Sequence, residues 1–170
     1  QLNDGDMEGH PQQYYWNPPP GNGYGFLVHP RRGKMTGPVT AEWQADNDAR
    51  VRMILAPGPQ TEVITADAPG IKPNFPRADF VIARRKGKDL ASTFASGVEP
   101  FEKGAAVQGI ENLTLAEPGD GLAARGLSVS FAGGAKDYYY SALDERTRSV
   151  DGLSFGGRFI LARAKDGTLE

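Results

Sequence analysis

The 170-residue sequence contains no cysteine and only two histidines, His10 and His29. The absence of cysteine excludes disulfide bonds, thiolate metal sites and cysteine nucleophiles. Histidine-based chemistry is restricted to two positions. The sequence also has no run that approaches the roughly 18 consecutive apolar residues of a membrane helix, so we expect no membrane span.

Positive charge is not concentrated on one part of the chain. The formal net charge is −2, and Lys and Arg are scattered except at RRGK (31–34) and RRKGK (84–88). A nucleic-acid partner needs a continuous basic face, so we expect none. The two short basic runs still allow local contacts with anions.

The overall composition is that of an ordinary globular protein, with 39% hydrophobic and 24% charged residues. A chain of this length can bury the core of one soluble domain. Because the first residue is Gln1 and not Met, we expect the natural protein to begin upstream of it.

Apolar residues recur with a period of two, which is typical of half-buried antiparallel strands. In VTAEWQA (39–45), Val39, Ala41 and Trp43 share one face and the polar residues share the other. Similar segments lie at 51–55, 61–66, 79–85, 106–115, 126–132, 136–143 and 157–164. With 22 glycines and 13 prolines between them, these segments predict an all-β, antiparallel sandwich or barrel.

The first 38 residues differ in composition from the rest. They combine aromatic residues with prolines and glycines, as in HPQQYYWNPPPGNGYGF (10–26), which excludes a central strand over most of the segment. We therefore predict two parts, a long loop region at 1–38 and a β-sandwich domain at 39–170. The loop region would lie on the sandwich or on a further domain.

The stretch LASTFASGVEPF (90–101) alternates apolar and small residues like a strand. Its small residues predict that another sheet or loop approaches closely. Pro100 lacks an amide donor and is expected to end the ladder. Glu99 is interpreted as a structural partner of an arginine and not as a proton-transfer group.

The order of these segments resembles a known enzyme family. The Trp-centred VTAEWQAD, then VRMILAPG, EVITADAPG, FVIARRKGKDLASTFASGVEPFE and VQGIENLTL, is similar to the carboxy-terminal β-sandwich region of heparinase II/III-like polysaccharide lyases. The later DYYYSALDERTRSVDGLSFGGRFILARAKDG is similar to the last strands of that family. The resemblance covers most of the chain from about Pro38 onward.

The resemblance implies a two-part enzyme in which an amino-terminal helical toroid packs against β-sheet domains. Acidic polysaccharide lies in the cleft between them and is cleaved by β-elimination, with Tyr and His as the usual base and acid. The resemblance also implies a bacterial, periplasmic or secreted protein.

The chain departs from the family pattern because no helical repeat is present in it. The family's catalytic residues lie mainly on the toroid and the early β region, so none is matched to a position here. We therefore predict the β-sandwich portion of a lyase acting on a uronate-containing polysaccharide, inactive or nearly so without its toroid. The alternatives are a non-catalytic carbohydrate-binding module and a structural interaction module.

The richest polar-aromatic cluster is His10, Tyr14, Tyr15 and Trp16. The first three are candidate catalytic residues, and Trp16 is a candidate for stacking on a pyranose face. The alternative is that this loop only covers the sandwich or the toroid. His29 is either a carboxylate contact or an ordinary surface histidine.

Four arginines are candidate substrate-binding residues: Arg31, Arg32, Arg84 and Arg85. A guanidinium group can hold a uronate carboxylate or a sulfate with two hydrogen bonds. The alternative for Arg84 and Arg85, whose side chains should point to opposite faces of a strand, is a cross-strand ion pair.

No cofactor or metal is predicted. NDGDMEG (3–9) places several oxygen ligands close together, as calcium sites do, but lacks a complete calcium-loop signature. Tyr138, Tyr139 and Tyr140 are interpreted as packing residues, with the middle one facing opposite to its neighbours.

Overall fold

The protein is described by a computed structural model that covers residues 3–4, 27–45, 47–68, 78–115, 123–150 and 152–169. Within these residues the chain is all-β, with antiparallel strand pairs throughout and no helix. It follows that this part of the chain contains no helix that could span a bilayer.

Each predicted segment contains a strand, and further strands lie outside those segments. In chain order the strands are β1 (Asn3–Asp4), β2 (Val28–Lys34), β3 (Val39–Gln44), β4 (Arg50–Leu55), β5 (Glu62–Ala68), β6 (Ala78–Arg84), β7 (Ser96–Phe101), β8 (Val107–Leu113), β9 (Ala124–Phe131), β10 (Lys136–Ala142), β11 (Arg148–Val150), β12 (Leu153–Phe155), β13 (Phe159–Lys165) and β14 (Thr168–Leu169).

The chain divides into two compact units. Unit 1 comprises Gln1–Met35 and Pro59–Lys88, and unit 2 comprises Thr36–Gly58 and Asp89–Glu170. Unit 1 holds one sheet with the strand order β1-β2-β5-β6. Its central strand β5 is the most buried, because Val63 and Ile64, on opposite faces, are both inaccessible to solvent.

Strand β2 lies inside the segment predicted as loop. Its pairing with β5 is interrupted by a bulge between Val28 and Arg31, so His29 and Pro30 stand outside the regular ladder. His29 there has a left-handed φ of 50°. A bulge accommodates a proline that a regular ladder would exclude, which is why the proline did not prevent a strand.

Unit 2 is a β-sandwich, as predicted. A three-stranded sheet with the order β3-β4-β7 packs on a five-stranded sheet with the order β14-β13-β10-β9-β8. Between the two sheets, Ile54 of β4 and Ala56 just after β4 pack against Ile110 and Val129 of the larger sheet. The fold class of the chain is therefore confirmed.

The opposite face of the five-stranded sheet carries a second core. The short hairpin of β11 and β12 lies over it, and Phe155 stacks on Tyr140 with ring centroids 5.4 Å apart. Tyr138 and Tyr140 belong to this core, whereas Tyr139 packs on the other face against the inter-sheet core. The predicted alternation of the three tyrosines is confirmed.

The small residues before Glu99 do allow a close approach between sheets. A Cβ atom added at Gly97 of β7 would lie 2.6 Å from Cδ1 of Ile110 on β8. A side chain at position 97 would therefore require the buried end of the Ile110 side chain to shift, and glycine leaves room for it. The strand itself begins only at Ser96.

The prediction that Pro100 ends the ladder is wrong. Strand β7 continues to Phe101, and Pro100 is the register partner of Val51 on β4. Within the described residues β7 has a neighbouring strand on one side only. A proline is tolerated on such an edge because its missing amide can face the unpaired side.

The proposed division at residue 38 stays a prediction. Most of the region 1–38 lies outside the described residues, which resume at Leu27. Near the end of the chain, β13 and β14 pair as a hairpin across the turn at Asp166-Gly167.

Candidate functional site

One face of the five-stranded sheet of unit 2 carries exposed apolar side chains, and we call it the open face. The strand register places side chains from different strands side by side on it. One row is Arg125, Ser141 and Phe159, and the next is Asn112, Leu127, Tyr139 and Leu161. A third row is Ile110, Val129, Asp137 and Arg163.

The three-stranded sheet covers only part of the open face. It packs on the side formed by β8 and β9, around Ile110 and Val129. On the β13 side, Phe159 and Leu161 remain 66% and 55% exposed. Large apolar side chains aligned on one sheet and left this exposed are typical of an interaction or ligand-binding surface.

An apolar groove of about 480 Å³ lies between β7 and the open face. Its floor is formed by apolar side chains of both sheets: Ile54, Val107, Ile110, Leu127, Val129 and Phe131. The polar side chains beside this floor are Ser96, Glu99 and Tyr139. This volume is within the range of ligand pockets, about 300–1,000 Å³.

A second depression of about 310 Å³ lies further along the open face, and we call it the aromatic–polar pocket. It shares Leu127 and Tyr139 with the apolar groove, so the two depressions adjoin. Its other side chains differ in character, with aromatic rings beside hydrogen-bonding groups: Thr93, Phe94, Asn112, Arg125, Ser141 and Phe159.

Glu99 at the edge of the groove is fully engaged in holding two strands together. Its carboxylate accepts hydrogen bonds from Nη2 of Arg52 at 2.8 Å and from the backbone amides of Ala106 and Val107 at 2.5 and 3.0 Å. Arg52 also donates to the carbonyl oxygen of Val107. The glutamate therefore connects β4 and β7 to the start of β8, as its structural interpretation requires.

These contacts shift the acidity of Glu99. Partial burial pushes its pKa up, but the hydrogen bonds from Val107, Arg52 and Ala106 together outweigh burial and hold the pKa below its ordinary value. A carboxylate with a depressed folded-state pKa stabilises the protein above the unfolded pKa of about 4.3. That stabilisation is lost as pH falls through the folded-state pKa.

We expect Glu99→Gln to lower the free energy of unfolding by about 1–3 kcal/mol at neutral pH, since charge-assisted hydrogen bonds are lost. The loss should shrink as pH falls below about 4, because the wild-type carboxyl then becomes neutral too. Urea unfolding from pH 7 to pH 3 measures both effects. A loss that is the same at every pH would contradict this account of the charge. Glu102→Gln, an exposed neighbour, is the control.

A second charged network lies at the hairpin beside the opposite core. Arg148 donates to both carboxylate oxygens of Asp144, at 2.8 and 2.9 Å, and to the hydroxyl of Tyr140 at 2.6 Å. Hydrogen bonds from Arg148, then from Arg146, hold the pKa of Asp144 far below its usual range. The same bonds to Asp144 and Tyr140 raise the pKa of Arg148. Every charge in this network has a partner, so its role is structural.

The predicted arginine candidates lie on the sheet of unit 1. Arg84 donates to Oε2 of Glu62, its register partner, and Arg32 approaches the other oxygen of Glu62 at 3.8 Å. Arg85 donates to the hydroxyl of Thr61 at 2.8 Å. Arg31 is the register partner of Thr65. The cross-strand ion pair is thus realised for Arg84, and binding of substrate by these arginines stays a prediction.

The other predicted site residues fall elsewhere. His10, Tyr14, Tyr15 and Trp16 lie outside the described residues. His29 is described: its Nδ1 lies 2.9 Å from Oδ2 of Asp67, and its ring is largely exposed. Among the described residues, no three His, Asp or Glu side chains are grouped as metal ligands would be.

The open-face residues were missed by the sequence reasoning. The strand register brings together three residues that are distant in the sequence. Ser141 lies 16 residues after Arg125 (141 − 125) and 18 residues before Phe159 (159 − 141), and each residue is on a separate strand. The sequence contains one signal that could have indicated them: alternate positions in these otherwise apolar segments are polar or aromatic.

Comparison with protein-family models and with curated proteins found no match for the chain. The side chains lining the two depressions provide stacking surfaces, hydrogen-bonding groups and one guanidinium group, which together suit binding more than proton transfer.

Proposed function

We propose that this chain is the β-sandwich portion of a polysaccharide lyase that cleaves uronate-containing polysaccharide by β-elimination. In this proposal the sandwich acts with a helical toroid, supplied by the same chain or another one. The polysaccharide lies between the toroid and the sandwich, and the sandwich alone lacks the complete active site.

The observation that carries the proposal is the open face. Phe159 is exposed and lines the aromatic–polar pocket, and Leu161 is exposed next to Tyr139, which lines both depressions. Exposed apolar side chains beside such depressions are expected of a domain that faces a cleft shared with another domain. The groove lining also provides no acid–base pair for proton transfer, because its carboxylate, that of Glu99, already accepts hydrogen bonds from three donors. This supports a sandwich that contributes binding and relies on a partner for the chemistry.

A non-catalytic carbohydrate-binding module is the second candidate. The aromatic–polar pocket favours it, because Phe159, Tyr139 and Arg125 are brought together within one sandwich. Such a module would bind glycan without any toroid. A periplasmic or secreted location belongs to the first proposal and stays a prediction.

The test is incubation of the purified chain with alginate, heparan, chondroitin and ulvan. Absorbance at the unsaturated-uronate band reports cleavage, and calorimetry reports binding. We expect binding to at least one of these polymers without new absorbance, and cleavage once a helical toroid partner is added.

Cleavage by the isolated chain would show that the sandwich needs no toroid. Binding that never becomes cleavage with any helical partner would favour the second candidate. Absence of binding to all four polymers would contradict both.

A further inference from the structure

We infer that the aromatic–polar pocket of the open face binds a single acidic sugar residue, and that it does so within unit 2 alone. The carboxylate of the sugar would pair with Arg125, and its ring would lie against Phe159 and Tyr139. The choice of a sugar acid rests on the proposed function, whereas the position of the site rests on the geometry that follows.

Arg125 differs from the arginines that build the fold. Arg52, Arg84, Arg148 and Arg163 each pair with a carboxylate, those of Glu99, Glu62, Asp144 and Asp137 respectively. Arg125 has no carboxylate partner among the described residues. Its Nε donates instead to the hydroxyl of Thr93.

That single hydrogen bond positions the guanidinium group without neutralising it. Nε is occupied by Thr93, so the two terminal nitrogens remain to form a fork toward the pocket. A guanidinium fork held in this way matches a carboxylate, which it can bind with two parallel hydrogen bonds. An accessible positive charge in a pocket selects an anion by charge complementarity.

The groups beside Arg125 suit a sugar ring. Ser141 and Phe159 lie directly across the sheet from it, in the same row. Phe159 is 66% exposed and lines the pocket, so a ligand there can contact it. Asn112 donates from Nδ2 to the carbonyl oxygen of Pro57, which fixes its amide and leaves Oδ1 as an acceptor for a sugar hydroxyl.

The size of the pocket favours a small ligand. At about 310 Å³ it is near the lower limit for ligand sites, about 300 Å³. It also lies on the face of a sheet, whereas an extended peptide would add to a strand edge through backbone hydrogen bonds. We therefore expect a sugar acid and not a peptide.

The test is calorimetric titration of the full chain with an acidic tetrasaccharide of uronate units and with its methyl ester, which has the same rings without the charge. We expect the acid to bind more tightly than the ester. Arg125→Gln should weaken binding of the acid by about tenfold or more, since a charge-assisted bidentate contact is lost. It should leave binding of the ester within about twofold, because the ester carries no charge for that contact.

Two further variants test the guanidinium fork of Arg125 and the ring of Phe159 separately from the charge of Arg125. Arg125→Lys keeps the charge but loses the fork, so we expect an intermediate affinity. Phe159→Ala removes the exposed ring and should weaken both acid and ester. The matched control is Arg50→Gln, which removes the same charge from a surface arginine paired with Glu42 and should leave both affinities within about twofold.

The inference fails if Arg125→Gln binds the acid within twofold of wild type, if wild type binds acid and ester equally, or if it binds neither. Binding of an apolar peptide in place of the sugar would also overturn it.

The outcome is independent of cleavage: an acid-specific pocket in a protein that never forms a lyase would refute only the proposed function. Cleavage by a toroid complex that is unchanged in Arg125→Gln, together with unchanged binding, would refute only the pocket.

Discussion

Replacing Arg148 with alanine is expected to lower the Tm of the protein by about 10 °C. The side chain is 1% exposed and holds both Asp144 and the hydroxyl of the fully buried Tyr140. Its removal would leave a buried hydroxyl without its donor and a carboxylate without its main partner. Arg148 itself is buried, and loss of a buried partner from a charged network is strongly destabilising.

Thermal unfolding followed by near-ultraviolet circular dichroism measures this effect, because Tyr140 and Phe155 stack within the same core. The control is Arg146→Ala. Arg146 also bonds Asp144, but its side chain is 63% exposed, so its removal should lower the Tm by less than about 3 °C. Equal shifts for the two variants would contradict the structural role given to Arg148.

The same network predicts a pH dependence. Since the pKa of Asp144 is depressed in the folded state, its pairing stabilises the fold above the ordinary Asp pKa of about 3.9. The stabilisation disappears as pH falls through the folded-state pKa. The Tm difference between wild type and Arg148→Ala should therefore narrow only in strongly acidic solution.

The second large effect is expected at the contact between the two sheets of unit 2. Gly97→Ala should lower the free energy of unfolding by about 1–3 kcal/mol, as overpacking does. The reason is that its new Cβ would meet Cδ1 of Ile110 at 2.6 Å. Urea unfolding measures the change. Gly109→Ala, where a Cβ meets nothing within 4 Å, is the control and should stay within about 0.5 kcal/mol.

A double-mutant cycle identifies the atom responsible. Ile110→Val removes Cδ1 and should alone cost about 0.5–1.5 kcal/mol. In that background Gly97→Ala should cost much less than in wild type, because the clashing atom is gone. Strictly additive effects would show that contact with Cδ1 of Ile110 is not the reason for glycine at position 97.

How far the sequence predicts this fold depends on the range of the interactions. Strand positions were predicted well because alternation with a period of two is local and is bounded by glycine, proline and turn residues. Strand β2 was missed because Pro30 argues against a ladder, and the bulge that accommodates it depends on pairing with β5. The prediction that Pro100 ends the ladder was wrong for a related reason, since only the tertiary structure shows that β7 lies at a sheet edge.

The candidate site was less predictable than the fold. Glu99 was correctly interpreted as a partner of an arginine, but Arg52 lies 47 residues away and only the pairing of β4 with β7 identifies it. Arg125, Ser141 and Phe159 carry no shared motif, and three strands must pair in one register before they form a row. Sequence patterns predict which face a side chain takes, but not which side chains become its neighbours.

The claim that the open face of unit 2 is the ligand-binding surface is tested most directly by nuclear magnetic resonance. Backbone amide signals of the labelled chain would be followed during titration with the acidic tetrasaccharide. We predict that the largest shifts occur at Arg125, Ser141, Phe159 and their neighbours on β9, β10 and β13. Shifts confined to the unit 1 sheet around Arg32 and Arg84, or no shifts at any amide, would contradict the account.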